Sequence, residues 1–188
     1  MKISKEKAAE NRQALIQAAS RLFKEKGIDG VGVAEISKAA GLTHGALYAH
    51  FSSKDELAAE ALGYSAANAR ERLANQVRSL EDMMDFYMAP AQRDNLSGGC
   101  ALAAAASEIA RQDEPVSVRF MEGYAQMVRY VERELAAKFP TDEARQRAIS
   151  IVAAMIGGIA VSRSVIKADQ AFADEILAAV RKTVGELA

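Results

Sequence analysis

One cysteine, two histidines and three prolines are all that 188 residues hold of those types. A single thiol, Cys100, cannot close an internal disulfide, which fits a reducing cytoplasm. The prolines, Pro90, Pro115 and Pro140, all lie beyond residue 89, each near a plausible helix boundary. Long apolar runs are also missing. The longest runs from Ile151 to Val161, short of the roughly 20 residues a membrane span needs, so a soluble protein with no membrane partner is predicted. The N-terminus, "MKISKEKAAENRQ", is polar and lacks the apolar centre of a signal peptide. With so few histidines and cysteines there is no HExxH or CxxC, and neither a glycine-rich phosphate loop nor G-x-S-x-G occurs. No catalytic residue, metal ligand or cofactor is therefore predicted, and an enzyme is disfavoured. Alternating β-branched runs are absent and alanine is abundant, which reads as an all-α fold.

Half of the residues are hydrophobic and 26% are charged, as in ordinary globular proteins. The formal charge is −1, but it is unevenly spread. Residues 1–54 carry nine Lys/Arg and five Asp/Glu, a net +4, and the remainder carries fifteen and twenty, a net −5. A basic head on an acidic body suggests that only the head meets a polyanion. The length suits one large domain or two small ones, and the pattern below divides the chain into 1–53 and 54–188.

About nine helices are predicted. The first covers Lys5 to Lys26, with Leu15, Ala18, Ala19, Leu22 and Phe23 on one stripe, and Gly27 ends it. A short helix over Val33–Ala40 stops at Gly41. Thr43 caps a third, over His44–His50, and Ser52 or Ser53 caps a long one that begins Lys54-Asp55-Glu56. Further helices are predicted near Ser79–Ala89, Gly99–Gln112, Pro115–Phe139, Asp142–Lys167 and Gln170–Leu187. Gln92–Gly98 reads as a loop, and Thr141 as an N-cap.

The first three helices, with a tight turn between the second and third, describe a helix-turn-helix unit. Its second helix needs small residues such as Ala39 and Ala40. Its turn needs a residue tolerant of positive φ, and Gly41 supplies one. In the third helix Leu47 and Phe51, four apart, form the inward anchor. Thr43, His44, Gly45, Ala46, Tyr48 and His50 remain to meet a partner, and Lys54 is placed for a phosphate beside free backbone N–H groups. The two histidines are six apart, about 240° around a helix axis, so they do not share a face for a metal.

"GVAEISKAAGLTHGALYAHFSSKDELAAEAL", together with "ALIQAASRLFKEKGIDG", resembles the DNA-binding signature of the TetR family of bacterial transcription regulators. Agreement in order at Ala18, Phe23, Gly27, Ile36, Ala40, Gly41, Leu47, Tyr48, His50, Phe51, Lys54 and Leu57 carries the resemblance. It implies a homodimeric regulator binding a double-stranded DNA operator, with the third helix in the major groove. Thr43, Gly45, Ala46, Tyr48 and His50 match family positions facing DNA, Lys54 matches a phosphate contact, and His44 sits where family members tune sequence choice. The chain departs from the family pattern at Val31 and Gly32, where members often carry threonines. It also has alanine at 34 and 49, where many members carry a basic residue at one or the other. Fewer charges imply a weaker salt dependence.

Beyond residue 62 the resemblance is architectural. It implies a small-molecule inducer held between the middle helices, with Met84, Tyr87, Met88, Leu102, Met121, Tyr124, Met127 and Val128 as the candidate lining. Thioethers adapt to irregular ligands and tyrosines add a polar handle. Periodicity alone favours reading the same residues as packed core. The last two helices are the candidate dimer seam: Ala153, Ala154, Gly157, Gly158 and Ala160 allow close approach, and Phe172, Ala173, Ile176, Leu177, Val180, Val184 and Leu187 form a stripe. The alternative is that both are core helices of a monomer. Cys100 reads as a small buried hydrophobe or, at a helix start, a thiol sensor. Glu108 and Arg111 read as solvated surface charge, with a ligand contact as the alternative. The leading expectation is a ligand-responsive cytoplasmic repressor released from its operator by an inducer, with an activator as the variant. The competing class is a helical protein-interaction scaffold that does not act on DNA.

Overall fold

A computed structural model describes residues 4–188, and among these every regular element is helical. There are ten α-helices: α1 (Lys5–Lys26), α2 (Val33–Ala39), α3 (His44–Tyr48), α4 (Lys54–Gln76), α5 (Leu80–Met88), α6 (Pro90–Asp94), α7 (Ala101–Ala105), α8 (Glu114–Leu135), α9 (Thr141–Val165) and α10 (Gln170–Leu187). A single 3-10 turn at Ile109–Arg111 precedes α8.

Local chemistry explains most of the boundaries. Ser4 starts α1 by accepting the Lys7 N–H, and Gly27 ends it at φ +81° with its own N–H returned to Phe23 O. Gly32 stands at the N-cap of α2. Gly41 makes the turn before α3 at φ +70°, a conformation that costs a side-chain-bearing residue about 1–2 kcal/mol. At the start of α4, Ser53 accepts the Glu56 N–H, while the Glu56 carboxylate accepts from both the N–H and the hydroxyl of Ser52. Those two bonds hold the Glu56 carboxyl below its ordinary pKa.

Two apolar cores result. The first joins Leu15, Ala19 and Phe23 of α1 to Ile36, Leu47 and Phe51, and to Leu57, Ala58 and Ala61 of α4. It also takes in Ala105, Ile109 and Val116 from the body, so the head is closed from below by the chain after α7. The second joins Met83, Met84, Tyr87 and Met88 of α5 to Val128, Val131 and Leu135 of α8, Ile151, Met155 and Ile159 of α9, and Leu177 and Val184 of α10. By length and hydropathy α9 alone would pass for a membrane span. Its apolar middle is instead the spine of this second core on one side.

Three expectations are corrected. The helix anticipated over Gly99–Gln112 breaks after Ala105, because the chain turns to bring Glu108 against α1, as described below. The loop anticipated from Gln92 begins inside α6, since Pro90 at the first helical position presets φ and gives up no needed N–H. Arg163 of α9 then closes this corner by donating to the carbonyls of Gln92 and Arg93, each at 2.9 Å. At the start of α9 the capping position is Pro140 and Thr141 is already helical.

Candidate nucleic-acid interface and body cavity

The third helix is short and held by two anchors. Leu47 is fully buried and Phe51, one turn on, is 2% exposed. Burying such side chains contributes about 1.5–3 kcal/mol each. With that side inward, the opposite side faces solvent. Thr43, His44, Gly45 and Tyr48 are exposed, and Ala46, His50 and Lys54 are half-buried at its edges. Thr43 is the N-cap, but its hydroxyl makes no capping bond and stays free for another acceptor or donor. A Cβ added at Gly45 would meet nothing within 4 Å, so a flat partner can approach the backbone there. His44 and Tyr48 share one face, ring centroids 5.8 Å apart and inclined at 74°. The pair therefore presents itself as a unit.

The head's positive charge is less free than a count suggests. Arg12 pairs with Glu60 at 3.1 Å and lies 4.9 Å over the Phe51 ring, so it braces α1 against α4. Lys26 is tied to Glu35 at 2.6 Å, which raises its pKa. Among the described residues, Lys38 and Lys54, flanking α3 in sequence, carry no ion pair.

Below the head, the body grips the end of α1 through a residue that sequence reasoning placed in solvent. Glu108 Oε2 accepts the buried Ile28 N–H at 2.7 Å. Gln112 Nε2 donates to both carboxylate oxygens of Asp29, at 3.1 and 3.2 Å. The first contact explains why residue 27 is glycine a second time over: a Cβ there would sit 2.2 Å from Glu108 Oε1. No local signal marks Glu108, because its partner lies 80 residues away.

Between α4, α5, α7 and α8 lies a cavity of about 890 Å³, within the range of sites that hold small organic molecules. Of the eight candidate lining residues, Tyr87, Leu102 and Met127 face it. Met84, Met88 and Val128 do not, since they point into the second core. Met88 reaches the place where Gly158 of α9 has no side chain, 2.9 Å from a Cβ built there. Met121 lies on the outer face of α8, 55% exposed. Tyr124 packs at the edge of the second core and donates its hydroxyl to the Ile149 carbonyl, at 3.1 Å, which fastens α8 to α9. Met83 and Phe86 line the cavity in their place, with Leu62, Leu73 and several arginines. Cys100, at the start of α7, is half-buried on the cavity wall, where its sulfur accepts the Tyr87 hydroxyl at 2.8 Å. Burial, and then the neighbouring thiol, push the Tyr87 phenol well above its ordinary pKa.

The outward side of α9 carries Ile149, Ala153, Gly157 and Val161 at helical spacing, and a Cβ at Gly157 would meet nothing within 4 Å. Gly158 faces inward, against Val180 and Met88, so only part of the small-residue run is available to a second chain.

Comparison with known proteins matches residues 15–61 to the family model "Bacterial regulatory proteins, tetR family" and residues 76–174 to "Transcriptional regulator LmrA/YxaF-like, C-terminal domain". The HTH-type transcriptional regulator LmrA of Bacillus subtilis is 27% identical over 162 residues, covering 81% of this chain and 86% of that protein. The HTH-type transcriptional regulator AcrR of Shigella flexneri is 41% identical over 68 residues, which span only 36% of this chain and 32% of AcrR. A TetR transcriptional regulator from Chloroflexus aurantiacus has a similar fold, with a TM-score of 0.77 at 24% identity over 95% of this chain and 94% of that one. The second model spans more than half of the sequence and the first contains α2, the turn at Gly41 and α3, so this chain belongs to the TetR family of DNA-binding transcriptional regulators.

Proposed function

We propose that the protein is a cytoplasmic repressor that binds operator DNA as a homodimer and is released by a small molecule entering the body cavity. One observation carries this reading: α4 is continuous from Lys54, beside α3, to Gln76, and its residues from Leu62 onward wall the cavity. A helix of 23 residues is about 34 Å long, so tilting it by about 5° moves its far end by about 3 Å. That shift is enough to break a phosphate hydrogen bond. In this mechanism Thr43, His44, Gly45, Ala46 and Tyr48 meet the major groove, Tyr48 and Lys54 hold phosphates, and His50 sits at the rim. The outward faces of α9 and α10 pair with their copies, setting two α3 helices one DNA turn apart, about 34–36 Å. The inducer lowers operator affinity by as much as it prefers a different spacing.

The test is a fluorescence-anisotropy titration of the dimer on DNA flanking its gene, across a salt series. Salt-sensitive, sequence-preferring binding is expected, with excess nonspecific duplex displacing nonspecific but not operator complexes. Binding indifferent to sequence and to salt would favour a protein-interaction scaffold instead.

A further inference from the structure

The cavity wall has a one-sided charge. Arg70 and Arg72 of α4 and Arg119, Arg129 and Arg133 of α8 line it, and no Asp, Glu, Lys or His does. Two of the five pair with carboxylates on their own helix: Arg119 with Glu122 at 2.8 Å, and Arg133 with Glu134 at 3.3 Å, with Arg133 also 5.3 Å over the Tyr130 ring. Arg70, Arg72 and Arg129 have no carboxylate partner among the described residues. Arg72 donates to the Gly98 carbonyl at 2.8 Å, and all five arginines are exposed to solvent, so they stand at the open side of the cavity.

The arginines are gathered by the register of two parallel helices. A Cβ at Gly63 would lie 4.0 Å from Arg119 Cδ, and one at Gly123 would lie 3.8 Å from Ala66 Cβ and 3.4 Å from Leu102. At Gly123 the helices are thus nearly in contact, and the same register carries Arg70 toward the level of Met127, between Arg129 and the contact point. The rest of the lining is largely apolar, with Leu62 and Leu73 on α4, Met83 and Phe86 on α5, Leu102 on α7 and Met127 on α8. The positive field extends behind the wall. Lys24 has its pKa lowered by burial and then by Arg72.

We infer that this cavity selects amphipathic anions, taking an apolar tail between α5, α7 and α8 and an oxyanion head at Arg70, Arg72 and Arg129. The inference rests on the reading of the cavity as the inducer site and names the chemistry that fills it. Guanidinium forks hold carboxylates, sulfonates and phosphates by paired N–H donors. A cationic ligand of the same shape meets repulsion and no carboxylate on the lining.

Three ten-carbon probes separate the possibilities: decanoate, decanol and decyltrimethylammonium, each titrated calorimetrically into the full-length protein below its micellar concentration. Decanoate is expected to bind one site per chain, about tenfold or more tighter than decanol, with the cation weakest. The preference should narrow as salt rises from about 0.05 to about 0.5 M. In Arg70→Gln/Arg129→Gln the difference between decanoate and decanol should disappear. If decanol and decyltrimethylammonium bind as tightly as decanoate, the cavity is a ligand site but charge selection is refuted. If none of the three binds, the cavity reading fails and this inference falls with it.

Discussion

Removing the Glu108 side chain should loosen the joint between body and head, and the structure sets the size of the effect. The lost bond is a charge-assisted one, from the Ile28 N–H at 2.7 Å, and Ile28 is 2% exposed. In Glu108→Ala that N–H has no replacement partner in the chain. Bonds to charged groups contribute about 1.5–3 kcal/mol. For a chain of this length that is a fall in Tm of roughly 3–12 °C. Glu108→Gln keeps an acceptor oxygen without the charge, so about half of the loss should be recovered. Amide hydrogen exchange gives the local readout: the Ile28 N–H should exchange roughly 10–150-fold faster in Glu108→Ala. Operator affinity should become less responsive to cavity ligands, because the contact that ties the end of α7 to the end of α1 is gone. An unchanged Ile28 exchange rate in Glu108→Ala would refute the argument outright, whatever happens to Tm.

Other outcomes follow from the same geometry. His44→Ala should change operator preference and cost within about 0.5 kcal/mol of stability, as an exposed site should, whereas Leu47→Ala, at a fully buried anchor, should cost about 2–5 kcal/mol in urea unfolding. Val161→Glu, on the outward face of α9 where Val161 is 51% exposed, should yield a monomer by light scattering with little change in helix content. The phenol of Tyr87 has its pKa raised in the folded chain by burial, so the folded state keeps a proton that the unfolded state releases above about pH 10. Stability should therefore fall as pH rises past that value. One of the five tyrosines should ionise, by ultraviolet difference absorbance, only as the protein unfolds.

The helix-turn-helix was legible in the sequence because short-range chemistry builds it. Gly27 and Gly41 are both at positive φ, Leu47 and Phe51 repeat at one turn, and Ser53 caps α4. The ends of α1 and α10 were readable for the same reason: each is fixed by caps and a stripe within its own segment. The cavity was not legible in this way. Met83 and Met84 are neighbours of like chemistry on a nine-residue helix covered on both sides. Periodicity cannot say which of them meets a void.

The sequence by itself determined the all-helical class, the turn at Gly41 and the exposed face of α3, since each depends on residues within a few positions of one another. Only tertiary structure decided that α7 stops short to let Glu108 reach Ile28, and that arginines from α4 and α8 line the same cavity. Both depend on partners far apart in the chain, about 50–80 positions, whose meeting is set by how helices pack. That packing turns on single close approaches, such as the one between Gly123 and Ala66, which leave no local trace in the sequence.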